Sequence, residues 1–365
     1  MDALALEFAD VVVEIVSSDP AAHDWLAEFL NPWWSPTARV ADWRVQIAAS
    51  ASRYAAAVND RPARTDMRDC FLFDQQVFAL PAWETDGRTT VEDAERSLYF
   101  TVSAGQVEVV ADPSTNRWRF PLVWILTEIA AARLRGRGHG LDLHAAAVEG
   151  CGHVVVIAGP KLSGKTTLAL HLLATGAPWI GNDRVFLDGI GAVPRVRGVP
   201  SAVKLRPDTV ARFPELGHLA RVDRPYLLSE AEFAEAERST RTPTEFDLAF
   251  TPAQVAQCLG VDRVSEAPLG AYVFPEIRAD VQGWDALRLP TDEVAAALAG
   301  SVYGGRRQSG TTTLFEAIEG GAVSPTTEQI EDAARRAPGY RIVLGPDAYE
   351  DGELAAWILG SGPTR

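Results

Sequence analysis

Short apolar runs break up the first 118 residues. Those at Leu4–Ile15, Trp43–Ala48, Cys70–Leu80, Ser97–Ser103 and Val107–Ala111 predict strands, and the glycine-containing loop Ala104–Gln106 joins the last two into a hairpin. Few helical stretches separate them, so an antiparallel sheet is expected here. The period then changes. Leu122, Ile125, Leu126, Ile129 and Ala130 fall at helical spacing, and the stretch closes in arginines and glycines, the composition of a helix C-terminus.

From Leu141 the texture changes again. Leu141–Val148 and His153–Ala158 read as two strands about the tight turn Glu149–Gly152. A glycine-rich loop follows, then a helix through about Ala174 and a short strand over 178–183. Residues 185–205 are strand-rich with Gly189 and Gly191 at turns, and 207–270 read as loop and helix, the acidic stretch 229–240 being a solvated helix. A buried strand is expected over 267–277 and a helix capped by Thr291 over 291–300; helix, strand and helix close the chain over 324–337, 340–344 and 351–359. The fold class expected is mixed α/β, with a β-rich unit over 1–138 followed by a second unit over 139–365; 365 residues suffice for two domains or one large one.

Composition narrows the function classes. Apolar residues at 47% and charged residues at 23% are those of a globular chain. A formal net charge of −15 and a pI near 4.9 repel nucleic acid and anionic lipid unless a local basic patch intervenes. Arg133, Arg135 and Arg137 do not make such a patch, since arginines at a helix C-terminus complement its dipole. The three cysteines, Cys70, Cys151 and Cys258, are far apart and suggest neither a disulfide framework nor a zinc site. The acidic N-terminus lacks the basic start of a signal peptide, and no apolar run reaches the roughly 18–20 residues that span a bilayer. A cytoplasmic protein without nucleic-acid or membrane partners is expected, its ten tryptophans serving packing.

The chemistry concentrates at Gly159–Thr166, where G-x-x-x-x-G-K-[ST] falls between a predicted strand and a predicted helix, the context that marks a phosphate loop. Gly159 and Gly164 let backbone N–H groups turn inward, and the helix beginning near Lys165 adds its positive N-terminal end. The stretch Gly159, Pro160, Lys161, Leu162, Ser163, Gly164, Lys165, Thr166 and Thr167 is therefore expected to cradle a nucleotide, with the Lys165 ammonium between the terminal phosphates and the Thr166 hydroxyl on a metal ion. Such a loop needs a carboxylate for its metal. Asp183 ends the short strand after the loop's helix, twenty-four residues beyond Gly159, and a strand returning beside the loop's own strand would bring it to Thr166.

Leu143–Val185 resembles the catalytic core of HPr kinase and its relatives, whose fold is shared with phosphoenolpyruvate carboxykinase. The resemblance rests on His144 fifteen residues before Gly159, the full phosphate loop, the helix after it, and an acidic pair ending the next strand, here Asn182-Asp183. Of the family's Glu-x-Arg-Gly signature the chain keeps Arg197 and Gly198 but carries Arg195 in place of the glutamate. The likeness spans about 140–205, and the first 118 residues do not resemble the N-terminal domain of HPr kinases. It implies a phosphate-loop domain with a mixed sheet, ATP and Mg²⁺, and phosphoryl transfer to a hydroxyl of a peptide, a protein serine or a small molecule. Asp183 would serve as general base or metal ligand, with His144 orienting it or touching the phosphates. Two of the family's three carboxylates are absent, so one metal ion held by Thr166 and Asp183 is expected, and the family's reverse reaction is not. Arg195 and Arg197 would clamp a phosphoryl group or an anionic substrate. Arg306 and Arg307, in the glycine-flanked loop 303–310, would close over the phosphates. The N-terminal unit would recognise the acceptor. Two other readings stay open: a nucleotide-binding regulator or scaffold with little turnover, and an NTPase coupled to a partner enzyme.

Overall fold

The computed structural model describes residues 2–73, 76–114, 117–138, 140–189, 193–205, 207–218, 249–305, 311–320, 324–350 and 352–360. Nine strands make the first sheet: β1 Asp2–Phe8, β2 Val11–Ser17, β3 Ser35–Pro36, β4 Trp43–Ala49, β5 Asp66–Phe73, β6 Gln76–Thr85, β7 Arg88–Asp93, β8 Leu98–Ser103 and β9 Gln106–Ala111. Their spatial order is β3-β1-β2-β4-β9-β8-β7-β6-β5. Two-residue turns with both residues at positive φ join β1 to β2 (Ala9, 47°; Asp10, 70°) and β6 to β7 (Asp86, 52°; Gly87, 73°), the turn whose twist suits a hairpin.

The sheet is mixed rather than antiparallel as expected. β2 pairs parallel with β4, and β4 pairs parallel with β9. The first parallel pair is joined by a crossover through helix α1 (Pro20–Leu30), which buries Leu26, Phe29 and Leu30. Helix α2 (Ala51–Asn59), capped by the Ser50 side chain, precedes β5. The helical run read from Leu122–Ala130 is helix α3 (Arg119–Gly136), nearly all of it buried. Its core with the first sheet also takes Phe186, Val199, Ala202, Leu314 and Phe315 from later in the chain. The C-terminal arginines of α3 go beyond complementing its dipole. Arg133 pairs with Asp42 (3.1 Å) and Glu319 (3.2 Å), and Arg135 is only 6% exposed among carboxylates.

The second sheet carries β10 Gly140–Leu143, β11 Ala145–Gly150, β12 His153–Ala158, β13 Trp179–Gly181, β14 Val185–Asp188, β15 Arg195–Gly198, β18 Glu266–Ile277, β19 Trp284–Leu289 and β20 Gly339–Leu344, with the small pair β16 Val203–Lys204 and β17 Ala249–Phe250 apart from it. The stretch Leu141–Val148 is two strands, not one. The chain breaks at His144, β10 pairing with β14 and β11 with β12. The turn between β11 and β12 is Cys151-Gly152, both at positive φ (51° and 80°), as its sequence suggested. β12 lies parallel to β18, and β18 parallel to β20, so the carboxyl ends of all three strands share one edge. Helix α4 (Lys165–Ala174) packs Leu168, Leu172 and Leu173 on one face of this sheet. Helices Thr291–Ala299 and Thr327–Arg336 cover the other through Val294, Leu298, Ala333 and Ala334. Thr291 is the first residue of its helix, and Pro290 occupies the capping position without a side-chain bond. The acidic stretch 229–240 lies outside the described residues. Among the described residues, no helix is long and apolar enough to cross a membrane.

Candidate functional site

β12 ends at Ala158 and the chain turns through Gly159–Gly164 onto α4. Three residues of this turn have positive φ: Gly159 (146°), Leu162 (68°) and Gly164 (98°). A bulky side chain is rare in that region, so Leu162 is held there by the loop around it, its side chain projecting outward at 69% exposure. The two glycines meet neighbours as well as strain. A Cβ on Gly159 would sit 3.0 Å from Ser163 Oγ, and one on Gly164 3.0 Å from Ile277 Cδ1. Gly164 caps α4 with no side-chain bond, which leaves the first-turn amides of the helix for a ligand. Ser163 Oγ is buried and has no hydrogen-bond partner among the described residues. Lys165 Nζ folds back over the loop, donating to Gly159 O (2.9 Å) and Pro160 O (3.0 Å). These acceptors are neutral, and an anionic oxygen is the stronger partner for an ammonium.

Two of the expected residues stand beside this loop. β11 runs antiparallel to β12 with Ala145 opposite Ala158, so His144, the next residue outward, faces the level of Gly159. β13 pairs with β11, Gly181 opposite Ala147, rather than with β12. One strand further from the loop than expected, it still runs toward the same edge and delivers Asn182 and Asp183 there. His144 Nδ1 lies 3.6 Å from Asp183 Oδ1. Asp183 is left-handed (φ 69°), a conformation aspartate tolerates better than most residues but which marks a constrained position. Asn182 contributes its carbonyl, accepting from Ser201 Oγ (2.6 Å) and from the Arg184 amide (2.8 Å).

Arg195 and Arg197 are engaged elsewhere. Arg195 Nε is 2.7 Å from Glu266 Oε1, and Arg197 pairs with Glu266 and with Asp188 (3.5 Å). Gly198 has a packing reason. A Cβ there would fall 1.7 Å from Ile180 O and 2.2 Å from Trp33 Nε1, and that indole donates to Ile180 O at 2.6 Å. The expected result for Gly198→Ala is a loss of about 1–3 kcal/mol from overpacking, read as a lower urea midpoint; an unchanged midpoint would show that the Ile180 backbone and Trp33 both shift freely. Arg306 and Arg307 lie outside the described residues.

Sequence reasoning missed Glu276. It lies exposed near the carboxyl end of β18, the parallel neighbour of β12. Ile157 stands opposite Val273, and Pro275 O is 4.0 Å from where a Gly159 Cβ would be, so Glu276 reaches the loop's edge on the side away from His144. The apolar run Ala271–Phe274, followed after Pro275 by an acid, was the available signal.

Among the described residues, no three His, Cys, Asp or Glu side chains are grouped to hold a metal by themselves. A hard cation that keeps waters and shares phosphate oxygens needs only one or two protein oxygens. The expected pair, the Thr166 hydroxyl and the Asp183 carboxylate, would supply two oxygens of this kind.

No family model matches the chain, and no curated protein matches it. Among solved structures, it is similar to the Hpr(Ser) kinase/phosphatase from Coxiella burnetii, with 12% identity, 40% of this chain and 72% of that chain covered, and a TM-score of 0.21.

Proposed function

We propose that the protein is an ATP-dependent phosphotransferase that moves the terminal phosphoryl group to a hydroxyl of a peptide, a protein serine or a small molecule. The observation that carries this reading is the convergence, at one sheet edge, of a phosphate loop with the His144–Asp183 pair 3.6 Å apart. The loop amides and the buried Ser163 hydroxyl bind phosphate oxygens, and Lys165 exchanges its loop carbonyls for them, meeting the charge of the transferring group. Thr166 and Asp183 would hold Mg²⁺, which supplies neutralisation of phosphate charge when bound. Asp183 accepts the acceptor hydroxyl's proton, and His144 orients its carboxylate. Residues 1–138 supply acceptor recognition.

A second reading is a nucleotide-binding regulator with little turnover. It is favoured by Asn182 in place of a carboxylate and by the pairing of Arg195 and Arg197 with Glu266. Both readings require the loop to bind nucleotide. Lys165→Ala removes a charge-assisted contact worth about 1.5–3 kcal/mol, so Mg-ATP should bind about tenfold or more weakly by calorimetry. Equal affinity in the variant would remove the phosphate-loop assignment from both.

A further inference from the structure

Beneath the His144–Asp183 pair lies a buried ion cluster that the proposed chemistry does not use. Arg184 donates from Nε to Asp142 Oδ1 (2.9 Å), from Nη2 to Asp142 Oδ2 (2.6 Å) and from Nη1 to Glu128 Oε2 (3.3 Å). Its guanidinium lies 4.2 Å from the centre of the Tyr303 ring. Arg135 completes the cluster, donating to Asp142 Oδ2 (2.7 Å), to Glu316 Oε1 (2.9 Å) and to Glu128. The five charged side chains belong to residues between 0% and 6% exposed. Burial alone would raise the Asp142 carboxyl, but Arg184 and Arg135 beside it hold it below the ordinary carboxylate range.

A buried cluster of this kind is a weak source of net stability, because apolar side chains of similar volume often serve as well. Its position in the chain suggests another role. Arg184 directly follows Asp183, and Asp142 stands two residues before His144. The fork therefore ties together the two backbone segments that present the pair. Backbone bonds brace both segments: His144 N donates to Ser301 O (2.7 Å), Tyr303 N to Asp142 O (2.7 Å) and Val199 N to Arg184 O (3.1 Å).

We propose that the Arg184–Asp142 fork is the positioning device of the site, holding Asp183 in its left-handed conformation with its carboxylate set against His144. Arg184 is on this account a positioning residue that acts through Asp183, and its effect on phosphoryl transfer rests on the proposed function.

The test is a double-substitution cycle. Arg184→Lys keeps the charge and loses the planar fork. It should leave ATP affinity, measured without Mg²⁺, within about twofold while lowering turnover about 10²-fold, the usual effect of a misplacement of about 1 Å. In an Asp183→Asn background the same change should alter turnover by less than about twofold, since the residue it acts through is already lost. Losses that multiply in the double variant would mean a merely structural role and overturn the inference. A crystal structure of Arg184→Lys decides the matter independently of turnover. Asp183 displaced from His144 supports the inference, and a separation still near 3.6 Å overturns it. An unsubstituted protein that transfers no phosphoryl group would thus sink the proposed function alone. If Arg184→Lys fails to fold, Asp142→Glu, which shifts the carboxylate and keeps its charge, is put through the same cycle and the same structural comparison.

Discussion

Asp183→Asn is expected to lower phosphoryl transfer by about 10²–10⁴ while leaving ATP binding in place. Asparagine matches aspartate in size and is among the residues that tolerate the left-handed backbone found at this position, φ 69°. Folding should therefore survive. What disappears is the negative charge, and the loss of a positioned base alone costs about 10²–10⁴ in rate; loss of a metal ligand adds to it. The loop amides and Lys165 remain, so the nucleotide still binds. Asn182→Asp adds a second carboxylate next to the first and should be tolerated. Labelled ATP, with transfer to the acceptor followed for both variants, gives the answer. Near-normal turnover in Asp183→Asn would show that this carboxylate does no proton or metal work. Tight ATP binding with no acceptor ever phosphorylated by the unsubstituted protein would favour the regulatory reading.

Asp142→Ala should destabilise the fold by about 3–5 kcal/mol, the penalty for removing one partner of a buried ion pair. Among the described residues, Arg184 would keep its 3.3 Å bond to Glu128 and its place over the Tyr303 ring, but no second carboxylate oxygen, while remaining shut away from water. The effect also depends on pH. Asp142 is held below the ordinary carboxylate range, so its contribution is fully present above the unfolded value of about 3.9 and is lost as pH falls through the lower folded value. Urea denaturation should show a large gap between the unsubstituted protein and Asp142→Ala at pH 7 and a smaller gap near pH 3. Equal midpoints at pH 7 would show that the guanidiniums find other partners or water.

The chain's local features were legible because their causes are local. A glycine-rich turn between an apolar strand and a helix, the Cys151-Gly152 hairpin turn and the helical spacing Leu122–Ala130 each depend on residues a few positions apart, and each stands where the pattern put it. The sequence by itself thus determined the glycine-rich turn between strand and helix, the mixed α/β character and the short strand just before Asn182-Asp183. Tertiary structure decided what pairs with what. Parallel pairing of β2, β4 and β9 made the first sheet mixed, and β13 joined β11 instead of β12. Arg135, read as a helix-end charge, became buried against Glu316, 181 positions away. Arg195 and Arg197, read as phosphate clamps, met Glu266. Gly198, read as part of a signature, proved necessary for the approach of Trp33 and Ile180. The physical reason is common to all of these. Turn dihedrals and side-chain period are set within a few residues, whereas strand order and buried charge partners depend on which distant segments the packed core brings together.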